Sequence, residues 1–151
     1  MKMIFWTEKI FAFVSAILLA NSIAKAQDAA NPFDAINSSY QVTVKPIFQT
    51  KCFDCHSNQT RWPWYHSLPG IKQLLEQDAA EGREHLDLSD DFPFGGHGSP
   101  IEDLDAIDKT LKDGSMPPWK YKLMHRSSRL TAEEKQIILD WINKSKSLVS
   151  Q

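Results

Sequence analysis

Apolar residues recur at helical spacing in several separate stretches of the chain. From Leu68 to Leu86, Ile71, Leu74, Leu75 and Ala79 mark one face, while Lys72, Gln73, Glu76 and Gln77 mark the other. That recurrence predicts an amphipathic helix, weakened at its far end by Gly82. A second helix is predicted from Ser99 to about Asp113. It opens on a capping box, Ser99-Pro100-Ile101-Glu102, with proline at the first helical position. Ile101, Leu104, Ala106, Ile107 and Leu111 form its inward stripe, and Gly114 is a natural stop. Thr131-Ala132-Glu133-Glu134 is a second capping box. It starts a helix whose Ile137, Ile138, Trp141 and Ile142 share a stripe. A shorter helix from about Lys45, with Pro46 in its first turn, carries Ile47 and Phe48. Val42 and Val44 alternate only as far as Pro46, and no stretch sustains strand alternation. The pattern predicts an all-α fold of about four helices joined by long, structured loops.

The flanks carry different signals. Lys2 and Lys9 precede the apolar run Ile10–Ala20, and Ala24-Lys25-Ala26 is a small-residue cleavage site. Residues 1–26 therefore read as an export signal peptide cleaved after Ala26. The apolar run is short of the ~20 residues a membrane-spanning helix needs, so no membrane association is expected after cleavage. Residues 27–39 are polar and small, with Asn31-Pro32, and are expected to form a flexible N-terminal tail. The helical domain is placed at 40–145, and residues 146–151 are expected to fray as a C-terminal tail.

Composition narrows the class further. The chain has 151 residues, 42% hydrophobic and 24% charged, with a net charge of −2. This is an ordinary globular composition with no basic stripe, so nucleic acid is not an expected partner.

The chemistry concentrates in Cys52-Phe53-Asp54-Cys55-His56. C-x-x-C-H is the attachment signature of c-type haem. Its spacing puts both sulfurs on one side of a helical turn, where they can add across the two porphyrin vinyl groups. His56 then reaches the iron from the same side as a proximal ligand. A thioredoxin-like redox pair needs a βαβ context that the pattern lacks. A structural zinc site needs further Cys or His at ligand spacing, and with only two cysteines in the chain a Cys₄ or Cys₃His site is excluded. One covalent haem c is the expected cofactor, and a periplasmic or secreted location follows from the export signal.

A low-spin electron carrier also needs a second axial ligand. The candidates are Met116, Met124, His66, His85, His97 and His125. Met116 ranks first because it follows a glycine turn and Pro117-Pro118 stiffens its loop; Met124 is the runner-up. Arg61, Trp62, Trp64 and Trp119 are candidates for haem packing or propionate contacts. Ordinary loop packing is the alternative for each of them.

With these motifs in place, the chain resembles single-haem c-type cytochromes of class I, and more narrowly the bacterial haem-binding-domain family. The resemblance rests on Cys52–Tyr65 (CFDCHSNQTRWPWY), Glu81–Leu86 (EGREHL), Met116–Tyr121 (MPPWKY) and Leu130–Lys135 (LTAEEK). It runs from about Val44 to Ile142. It implies a small cytochrome c-like domain with haem held covalently by Cys52 and Cys55, His56 proximal and Met116 distal. One departure stands out. An aromatic stretch with Asn and Trp is expected after the middle helix, where this chain has Asp87-Leu88-Ser89-Asp90-Asp91-Phe92.

The expected function is electron transfer outside the cytoplasm rather than enzymatic turnover. The expected partners are a transiently docked redox protein and the haem c maturation machinery. The alternatives are a haem-based sensor or ligand-binding module, or a small peroxidase-like enzyme, with a displaceable sixth ligand.

Overall fold

Helices supply every extended element of the structure, a computed structural model that describes residues 31–96 and 98–150. The expected export signal and the ligand candidate His97 lie outside the described residues. The elements are α1 (Pro32–Ser39), a π-helical turn (Tyr40–Val44), α2 (Lys45–Lys51), α3 (Phe53–His56), a 3-10 turn (Trp64–Ser67), α4 (Ile71–His85), α5 (Pro100–Asp113), α6 (Trp119–Met124), a 3-10 turn (Arg126–Ser128) and α7 (Ala132–Val149). Among the described residues there is no strand, only an isolated antiparallel bridge between Asp87 and Gly95. The all-α expectation holds.

Both predicted capping boxes form. The Glu102 amide donates to Ser99 Oγ, and the Ser99 amide to Glu102 Oε2. Thr131 and Glu134 exchange the same pair of bonds at the start of α7. Each box satisfies two amides that a helix N-terminus leaves orphaned. Gly114 ends α5 with a left-handed φ of 71°, a conformation that glycine adopts without a Cβ clash.

Both terminal expectations need correction. The second half of the expected tail at 27–39 is α1, and the domain begins before Tyr40. Ile36, Tyr40 and Val44, four residues apart, are each 0% exposed. Their spacing is a helical stripe hidden among small polar neighbours. At the other end α7 runs to Val149 rather than fraying from residue 146. Ser145 is buried, and its hydroxyl donates to the Trp141 carbonyl. Leu148 and Val149 pack against the core.

That core joins the two ends of the domain. The Trp141 indole N–H donates to the Ile36 carbonyl at 3.4 Å. Tyr40, Phe48, Phe92, Phe94 and Trp141 form an aromatic cluster with centroid separations of 5.1–6.4 Å. Such pairs add about 0.5–1.5 kcal/mol each beyond area burial. The departure after the middle helix is thus filled by Phe92 and Phe94, which reach the core from their own loop. Ile47 and Phe48 are buried in the same cluster.

Several apolar positions do not face inward. Of the predicted stripe on α4, Ala79 is buried but Ile71 and Leu74 are exposed. Ala106 and Ile137 are also exposed, as is Val42. The connection after Gly114 is not a plain loop, because it contains α6.

Candidate functional site

The motif occupies the end of α2 and the whole of α3. The Cys55 and His56 amides both donate to the Cys52 carbonyl, at 3.1 and 3.0 Å. These bonds wind Cys52, Cys55 and His56 into a single turn. Both cysteines are free thiols. Burial raises both thiol pKa values. Cys52 is pushed up to about 12, first by burial and then by Cys55. Cys55 is raised by burial, then by the carboxylates of Asp54 and Asp78.

His56 is held from outside its own helix. Its Nδ1 lies 2.9 Å from the Leu86 carbonyl oxygen. A carbonyl only accepts, so Nδ1 carries the proton and the neutral ring presents the lone pair of Nε2. A carbonyl on the second nitrogen is the usual way a metal-ligating imidazole is oriented. The Leu88 amide also donates to the His56 carbonyl at 2.7 Å. Leu86–Leu88 therefore grips both the ring and the backbone of His56.

Helix α4 delivers that grip because it approaches α3 closely. A Cβ built on Gly82 would lie 2.7 Å from the Cys55 carbonyl oxygen. The Gly82 carbonyl in turn accepts from the Leu86 amide at 3.0 Å. The glycine that weakens the helix in isolation is what lets it pack here. Arg83 adds a bond from Nη1 to the Ser57 carbonyl, at 3.3 Å.

Asp54, between the cysteines, anchors two loops. One carboxylate oxygen accepts from the Arg61 amide and Nε at 3.2 and 3.1 Å. The other accepts from the Tyr121 hydroxyl at 2.9 Å. The Arg61 side chain also donates to the Gln49 carbonyl, so it braces the loop rather than lying idle at the surface. Trp62 stacks on His66 at 4.3 Å, and His66 pairs with Glu76 at 3.3 Å. His125 lies between two tyrosines. It stacks on Tyr121 at 4.0 Å, and its Nε2 is 3.2 Å from the Tyr65 hydroxyl. His85 is exposed at the end of α4.

Met116 lies elsewhere. It lines a cavity of about 560 Å³ with Leu111, Pro117, Trp119, Leu123 and Leu130, and none of Cys52, Cys55 and His56 lines that cavity. The structure brings Cys52, Cys55 and His56 together. Of the two cavities lined by Met116 or by Asp54 and Tyr121, neither brings Met116 or Met124 together with Cys52, Cys55 or His56. The sequence assigned no role to Asp54, Gly82, Leu86 or Tyr121, although all four fall within the motifs that carry the resemblance and Gly82 interrupts a helical pattern.

The donor set fits a haem. Two thiols and an unencumbered imidazole nitrogen share one turn. Large apolar side chains are exposed on two segments: Trp62, Trp64, Leu68 and Leu74 on one loop and helix, Met116, Trp119 and Leu123 on the other. Exposed apolar surface of this kind marks a ligand or partner site. Among the described residues no group of three or more His, Cys, Asp or Glu is placed to hold a bare metal ion.

The chain is similar to the cytochrome c peroxidase Ccp of Escherichia coli (strain K12), with 30% identity over 98 residues, 64% of this chain and 21% of that protein. It therefore spans about a fifth of that relative's length. No solved structure matches the chain. The family model for the haem-binding domain matches residues 11–144, and the chain, with its C-x-x-C-H turn and carbonyl-held His56, belongs to that family.

Proposed function

We propose that this haem-binding protein attaches one haem c covalently through Cys52 and Cys55 and carries electrons outside the cytoplasm. The carrying observation is the single turn that presents both thiols and His56, with the imidazole oriented by the Leu86 carbonyl. Bound haem supplies a one-electron Fe(III)/Fe(II) couple. The chain's own residues supply position: His56 Nε2 as proximal donor and Met116 Sδ as distal donor, with Met124 next in line. A thioether opposite an imidazole favours the reduced iron and raises the potential relative to two imidazoles.

Haem c maturation machinery joins the two thiols to the porphyrin. Export through residues 1–26 delivers the chain to that machinery, and a redox partner docks weakly through a small interface.

A reduced-minus-oxidised spectrum with a redox titration, together with a haem-stained denaturing gel, tests the reading. Cys52→Ala and Cys55→Ala lose covalent stain on that gel, and unchanged staining in both overturns covalent attachment. A second reading is a ligand-binding or peroxidase-like module with a displaceable sixth ligand, favoured by the similarity to Ccp. Rapid CO binding to the reduced protein at neutral pH, or steady peroxide turnover, selects that reading over the closed carrier.

A further inference from the structure

The segment that carries Met116 and Met124 is poorly held by apolar packing. Trp119, Leu123 and Met124 are 69%, 65% and 64% exposed. The Lys122 ammonium bonds back to the Gly114 carbonyl at the end of α5. At its far end Lys51, next to Cys52, donates to the Ser127 and Arg129 carbonyls at 2.7 and 3.1 Å. Between those ends, the Tyr121 hydroxyl donates to Asp54 at 2.9 Å and ties the segment to the motif.

The Tyr121 ring is itself fixed. His125 covers it at a 4.0 Å centroid distance and a 17° interplanar angle. His125 Nδ1 lies 3.2 Å from the Tyr121 carbonyl, so that nitrogen donates and Nε2 accepts from the Tyr65 hydroxyl. Asp54 is fixed through its other oxygen by Arg61. Helical geometry turns a position two residues past Cys52 by about 200°. On an ideal helix that sets Asp54 opposite the side shared by Cys52, Cys55 and His56. A bond to it can anchor a loop without occupying the side the haem needs.

We propose that Tyr121 and Asp54 form a latch that holds the 116–124 segment to the haem-attachment turn, with Tyr121 a positioning residue for the distal iron ligand. The proposal rests on the reading of Met116 as that ligand. Breaking the latch loosens the segment, and an external base then competes better for the iron. Consistent with its setting, the Tyr121 phenol is raised above its ordinary pKa, by burial first and by the Asp54 bond next.

Imidazole binding to the oxidised holoprotein is the probe. Tyr121→Phe and Asp54→Ala each tighten imidazole about tenfold, the scale of one hydrogen bond to a charged group. The double variant gains no more than either single one. Simple additivity of Asp54→Ala with Tyr121→Phe, or unchanged affinity in both, overturns the latch. Amide hydrogen exchange of residues 119–125 in the holoprotein separates this from the ligand assignment. Tyr121→Phe speeds that exchange about tenfold whichever residue ligates the iron; unchanged exchange sinks the latch. Loss of the ligand assignment shows instead as a far-red sulfur–iron band that survives Met116→Ala.

Discussion

The Leu86 carbonyl holds the His56 imidazole through Nδ1, at 2.9 Å, across 30 residues of sequence. A backbone carbonyl thus orients the imidazole, while the Leu86 side chain packs against the core. The bond fixes both the tautomer and the ring plane, so Nε2 is pre-aimed before any iron arrives.

Replacing His56 removes both ends of this arrangement. His56→Ala is expected to give no stable holoprotein after co-expression with haem c maturation functions, read by the ratio of haem to protein absorbance. Normal yield with an unaltered spectrum would refute the proximal role.

The distal side is tested by paired variants. Met116→Ala is expected to abolish the far-red sulfur–iron band of the oxidised protein and to lower the reduction potential, because a thioether stabilises the reduced iron. Met124→Ala leaves both unchanged. If Met124→Ala alone removes the band, the assignment moves to Met124.

Gly82 sets two magnitudes against each other. Alanine gains about 1 kcal/mol of helix propensity over glycine. Here its Cβ would sit 2.7 Å from the Cys55 carbonyl oxygen, a backbone atom that cannot rotate away. Overpacking costs typically 1–3 kcal/mol, and moving α4 also displaces the Leu86 carbonyl from His56. Gly82→Ala is expected to destabilise the holoprotein by roughly 1–2 kcal/mol in urea. A stabilised protein would show that the helix shifts without cost.

Tyr40 gives a pH signature. Its side chain is 0% exposed, and its hydroxyl has no hydrogen-bond partner among the described residues. Burial, then Asp91 and Cys52, raise its pKa above the ordinary 10.0. For an acid with a raised folded-state pKa, the stability from keeping it neutral is fully present below pH 10 and is lost as pH rises toward the folded value. Tyr40→Phe is therefore expected to be neutral or to stabilise by about 1 kcal/mol at pH 7. It should also flatten the loss of stability above pH 10, followed by thermal melts across that range. A variant as alkali-sensitive as the parent would remove Tyr40 from the account.

Local rules made much of this molecule legible. Ser99 with Glu102 and Thr131 with Glu134 cap helices because partners three residues apart must meet at a helix start. Cys52, Cys55 and His56 share a turn for the same reason. The α1 stripe of Ile36, Tyr40 and Val44 was equally local but was masked by its small polar neighbours. Ile71 and Leu74 misled because periodicity identifies a face without saying what covers it.

By itself, then, the sequence determined the all-α class, the capped starts of α5 and α7, and the residues that can bond a haem. Tertiary structure alone decided what surrounds them: Leu86 on His56, Gly82 against Cys55, Tyr121 on Asp54, and Trp141 on the first helix. Each of these pairs joins residues far apart in sequence, and no local propensity encodes them. They follow from how the apolar stripes pack, because burying those stripes sets the helix spacing and so determines which backbone and polar groups meet.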